Sequence, residues 1–76
     1  MTLQEFTKAF SSQFEQTDPA KINDDTDFKN LDEWDSLIAL SVIALADEQF
    51  QVTLTGDDIR NAKTVSDLYN RIKELK

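Results

Sequence analysis

The stretch DEWDSLIAL, residues 32 to 40, sets a serine between an aspartate and a leucine, just ahead of the most apolar run of the chain. Three roles compete for Ser36: a nucleophile, a helix-start residue, or a hydroxyl to which a group is attached. A serine nucleophile needs a base within hydrogen-bond reach, usually histidine. The sequence contains no histidine, and no lysine lies near Ser36 along the chain. Nor is there a glycine-rich loop to cradle phosphates, since Gly56 is the only glycine. These absences argue against an autonomous enzyme. Taken alone, Asp35-Ser36 reads as a helix start, because Asp is a favoured N-cap and a small polar residue is tolerated in the first turn.

The acidic run NDDTDFKNLDEWD, residues 23 to 35, invites comparison with a calcium loop. That loop needs acidic or amide residues at its first, third and fifth positions, Gly at the sixth and Glu at the twelfth. Starting at Asn23 supplies Asp25 and Asp27 but puts Phe28 in place of the Gly and Trp34 in place of the Glu. Starting at Asp25 puts Lys29 at the fifth position and Ser36 at the twelfth. Neither register works, so a solvated acidic loop is expected and no metal site is assigned.

The 76 residues suffice for one small domain, residues 1–76, and the net charge is -7. A domain of this size buries only about 60% of its unfolded surface, so its core is thin. There are no cysteines to brace it. A strongly acidic surface repels nucleic acid and anionic membranes and favours basic partners. The opening MTLQEFTKAF is not built like a signal peptide. The longest apolar run, LIALSVIALA at 37 to 46, is too short to span a bilayer. The expectation is a cytoplasmic monomer with no nucleic-acid binding and no membrane insertion.

The elements that must position Ser36 follow from periodicity. Residues 2 to 15 read as a helix: Thr2 and Glu5 make a capping box, and Leu3, Phe6, Phe10 and Phe14 fall on one face. Thr17-Asp18-Pro19 is expected to end it. Residues 17 to 34 show no sustained period, and Ile22, Phe28, Leu31 and Trp34 are expected to pin this long loop to the core. A second helix spans 36 to 50 with Asp35 as N-cap. Ala39, Val42, Ile43, Ala46 and Phe50 make one stripe of it, read as core-facing. Leu37, Ile38, Ser41, Ala44 and Leu45 make a second, partly apolar stripe, which one so small a protein can hardly keep from the surface. Phe50, Val52 and Leu54 alternate through an extended loop to Gly56. Asp57 to Asn61 gives one helical turn capped by its aspartates. Thr64 and Asp67 cap a last helix marked by Val65, Leu68, Tyr69, Ile72 and Leu75, with Arg71, Lys73 and Lys76 near its C-terminal end. The fold class is all-α: a small four-helix bundle, three main helices and one short one, with a long first loop.

DSL at 35 to 37 opening a central helix, ADEQF at 46 to 50, QVTLTGDDI at 51 to 59 and TVSDLYNRI at 64 to 72 stand in an order and spacing that resembles the acyl carrier protein family. These are the phosphopantetheine-binding carrier domains, and the resemblance covers nearly the whole chain. It implies that a separate phosphopantetheinyl transferase moves 4'-phosphopantetheine from coenzyme A onto Ser36, with Asp35 helping to present the serine. The arm would end in a thiol that carries cargo as a thioester, which accounts for thiol chemistry in a chain without cysteine. The resemblance implies a partner-recognition surface on the central helix, here Leu37, Ile38, Ser41, Leu45 and Glu48. It implies a bundle able to shelter an acyl chain, with Val42, Ile43, Ala46, Phe50, Leu54, Ala62 and Leu68 as lining. Fatty-acid-synthase carriers usually show acidic residues where this chain has Ile38 and Ser41, and the Glu-Trp before DSL looks more like carriers of specialised pathways. Partners are then acyl-loading and acyl-transferring enzymes with basic or mixed apolar docking surfaces. An aminoacyl or peptidyl carrier is the alternative within the class. An unmodified helical adaptor that docks a basic partner is the alternative outside it.

Overall fold

Thr2 opens the first helix through a complete capping box: its hydroxyl accepts the Glu5 N–H at 3.1 Å, and the Glu5 carboxylate accepts the Thr2 N–H at 3.0 Å. The computed structural model describes residues 2–76 and holds four α-helices among them. They are α1 (Leu3–Ser11), α2 (Ser36–Phe50), α3 (Gly56–Asn61) and α4 (Val65–Leu75). No strand occurs among the described residues, so the fold is the expected all-α bundle.

The first helix ends at Ser11, earlier than the apolar spacing predicts. The side chains of Ser11, Ser12 and Gln13 bond back to the carbonyls of Lys8 and Ala9, and such local bonds compete with continued helix. Two turn bonds, Gln13 N–H to the Phe10 carbonyl and Phe14 N–H to that of Ser11, then return Phe14 to the core.

The long connection is not structureless. It contains two 3₁₀ turns, Pro19–Lys21 and Phe28–Asn30. Between them Asn23 and Thr26 close a self-bonded turn around the acidic residues. The Asn23 N–H donates to the Thr26 hydroxyl at 2.9 Å and the Asp25 N–H to the Asn23 side chain at 3.0 Å. This loop also serves α4. The carbonyls of Thr26 and Asp24 accept the N–H groups of Val65 and Ser66, donors that a helix start leaves without intrahelical partners. Ile22 and Phe28 anchor it in the core, with Leu31 and Trp34 packed at the margin.

Every aromatic ring of the sequence belongs to one connected set, from Tyr69 and Phe50 through Phe6 and Phe10 to Phe14, Phe28 and Trp34. It ties the helices to the segment just before Ser36. α1 packs against α4 and α2, and α3 against α4. The extents are 30 × 24 × 20 Å. The thinnest dimension is about two helix diameters, so no third layer covers α2 and part of its apolar surface must face water.

Gln51 ends α2 in the left-handed region at φ 55, and Val52 and Leu54 are then buried in the extended loop, as the alternation predicts. The cap of α3 differs from the expectation. Thr55, not the aspartates alone, opens it, with Asp58 returning the bond in a capping box. The α4 start follows the predicted Thr64–Asp67 box.

Candidate functional site

Asp35 is extended, and its carboxylate accepts the Ile38 N–H at 2.9 Å, so α2 begins at Ser36. Ser36 and Asp35 are both exposed. The hydroxyls of Ser11 and Ser41 turn back on helical carbonyls three and four residues earlier. Ser36, as the first residue of its helix, has no helical carbonyl behind it to bond in that way. Exposed in the first turn, it lies near N–H groups without intrahelical partners and the positive end of the helix dipole, an environment that favours an anionic substituent.

Trp34 fixes the approach to this point. Its ring stacks near Phe10 at 6.5 Å and Phe14 at 6.3 Å and meets Phe28 edge-on at 5.0 Å. One side of Ser36 opens on a groove of about 440 Å³ between α2 and α3. Trp34, Ala39, Ile43 and Ile59 give it apolar walls, with Lys29 and Arg60 at its border. Lys29, seven places from Ser36 in sequence, is thus near it in space. Its ammonium donates to the Arg60 carbonyl at 2.6 Å, and the Arg60 guanidinium pairs with Asp57.

The orientation of α2 corrects the stripe assignment. Ile38 and Leu45, expected on the partner surface, are each 8% exposed and belong to the core. Ile38, Val42 and Leu45 follow one another by four and three residues, so they share a face, and that face is turned inward. Ala39 and Ile43, expected in the core, are only half-buried. The outward ridge is instead Leu37 at 73% and Leu40 at 61% exposure, followed by Ala44, Asp47 and Glu48. Of the predicted partner residues, Leu37 and Glu48 are exposed and Ser41 half-buried. Leu40 was missed, although its spacing from Leu37 and Ala44 gave the signal. Both stripes are apolar, so the sequence offers no polar face to set the rotation of the helix.

The predicted lining residues Val42, Ala46, Phe50, Leu54, Ala62 and Leu68 belong to one buried core cluster, and Ile43 packs against it. Ile43 borders the groove beside Ser36. Ala62, buried in that core, also borders a cleft between α3 and α4, beside the Arg71–Asp58 ion pair at 2.8 Å. Glu33, Lys29 and Arg60 are neighbours of the site that sequence reasoning did not single out.

A substituent on Ser36 would displace no core side chain, and an extended chain could leave along the groove. A family model described as "Phosphopantetheine attachment site" matches residues 4–72. No curated protein matches the chain.

Proposed function

The chain belongs to the phosphopantetheine-attachment carrier family, and from that premise we propose that Ser36 bears the arm and that the protein carries acyl groups as thioesters between enzymes. A covalently bound 4'-phosphopantetheine supplies the thiol; the chain supplies the acceptor hydroxyl and the surface that partners read. The observation that carries this reading is the exposed serine at the start of α2, capped by Asp35 and bordered by an open groove. Any base for the transfer comes from the transferase, since the chain has no histidine. The protein is then a carrier and not itself an enzyme.

The test is intact-protein mass after incubation with coenzyme A, magnesium and a broad-specificity phosphopantetheinyl transferase. One phosphopantetheine adduct is expected on the wild type and none on Ser36→Ala. An adduct that persists in Ser36→Ala would move the attachment elsewhere. A folded wild type that takes no adduct from several transferases would shift the reading to a helical adaptor. Acyl cargo is separated from aminoacyl or peptidyl cargo by loading the holo-protein with adenylating and acyltransferase enzymes. Exclusive aminoacyl loading would overturn the acyl assignment.

A further inference from the structure

Residues 13 to 17 leave α1 without entering another helix, and the amides of residues 15 to 17 converge on a single side chain. The Glu33 carboxylate accepts the Glu15 N–H at 2.8 Å on one oxygen and the Thr17 N–H at 2.8 Å on the other. The Gln16 N–H lies 3.0 and 3.2 Å from the two oxygens, and the Thr17 hydroxyl donates at 2.7 Å. Successive backbone N–H groups form a concave anion-binding site, and bonds to a charged acceptor are the stronger kind. Here an acidic residue from a distant part of the same chain fills that concavity.

Glu33 immediately precedes Trp34 and Asp35, and Ser36 follows. Backbone bonding in this stretch is sparse: the Trp34 N–H meets the Leu31 carbonyl at 3.0 Å, and the next bond belongs to the Asp35 cap. Side chains therefore set its course, Trp34 in the aromatic cluster and Glu33 on the loop leaving α1. Glu33, Asp35 and Leu37 also border one shallow groove, so this anchor adjoins the exposed ridge of α2.

We propose that Glu33 is a positioning residue: by gripping the amides of residues 15 to 17 it holds the Asp35 cap and the start of α2, and so fixes where the Ser36 hydroxyl is presented. The inference rests on Ser36 being the attachment residue for its kinetic consequence, but not for its structural one.

The experiment compares wild type with Glu33→Ala, and with Ile72→Val as a mildly destabilised control in α4. Amide hydrogen exchange is read at Ile38, whose N–H needs Asp35 in place. In Glu33→Ala the Ile38 amide should exchange about 10-fold faster, while Leu68 in α4 is unchanged. The kcat for arm transfer should fall about 10-fold, with the KM for the carrier little changed, because the hydroxyl is misplaced rather than the docking surface lost. Ile72→Val should reproduce neither change. Unchanged Ile38 exchange, unchanged kcat, or an equal effect in Ile72→Val would overturn the proposal. If the wild type accepts no arm, the attachment reading fails separately, and Ile38 exchange alone then decides whether Glu33 holds the helix start.

Discussion

Ser36 has a hydroxyl but no base, which suits an acceptor whose reaction is driven by another protein. Leu37 and Leu40 project from α2 with Asp47 and Glu48 further along the same ridge. We propose this mixed apolar and acidic ridge as the docking surface, fitted to partners with an apolar hollow near basic residues. Leu40→Glu should change stability by less than about 0.5 kcal/mol, as surface substitutions do. It should nonetheless slow loading by an acyl-transferring partner, read as a raised KM; an unaltered KM would place docking elsewhere. Glu33 supports a second prediction at this scale. The Thr17 hydroxyl, followed by the amides of Gln16, Glu15 and Thr17, holds its carboxyl below the ordinary carboxylate range. The folded state then binds that proton less readily than the unfolded chain. The stabilisation is fully present above about pH 4.3 and is lost as pH falls through the lowered folded value. Partial removal of the carboxylate from water opposes this effect without reversing it. The excess melting temperature of wild type over Glu33→Gln should therefore shrink between about pH 6 and pH 3. A difference independent of pH would mean that the carboxylate's charge contributes nothing to the clamp.

Each helix of the bundle opens on a side-chain cap, and three of the four caps are full capping boxes. In a domain this small, with total stability of order 4–11 kcal/mol, such local bonds carry weight. The start of α4 has two sources of support: the Thr64–Asp67 box, and the carbonyls of Asp24 and Thr26 in the long loop. Thr64→Ala should cost about 1 kcal/mol in urea unfolding, with the slope of the transition unchanged. A midpoint equal to wild type would show that the loop carbonyls suffice. The loop that reads as an acidic run in sequence is therefore a structural element. Asn23 and Thr26 close its turn, and its backbone finishes a helix more than thirty residues away.

At the scale of the whole molecule, the charge of -7 is spread over a body with extents of 30 × 24 × 20 Å. Only Arg60 and Arg71 supply the side-chain ion pairs given by the described residues, with Asp57, Asp58 and Glu74 as partners. Most acidic groups therefore act through mutual repulsion. Raising the salt from about 0.01 M to 0.15 M shortens the screening length from about 30 Å to 8 Å, from the size of the molecule to well below it. Thermal unfolding should be a single transition whose midpoint rises with that salt, and rises again with magnesium. A midpoint that fell would show that ion pairs outweigh repulsion. Among the described residues no helix is long and apolar enough to cross a membrane.

What the sequence determined by itself was local. The caps at Thr2, Asp35 and Thr64, the burial of Phe6, Phe10 and Phe14, and the alternation through Val52 and Leu54 depend on residues within a few positions of one another, so they could be read directly. The motif that places Ser36 at a helix start was legible for the same reason. The rotation of α2 was not, because a helix apolar on two faces carries no record of which one meets the core. Packing of α1 and the aromatic cluster turned Ile38 and Leu45 inward and left Leu37 and Leu40 outside. Nor could spacing reveal that Glu33 would meet the amides of residues 15 to 17, or that Lys29 would border the groove beside Ser36. Those neighbours are made by the path of the long loop, and only the folded chain brings them together.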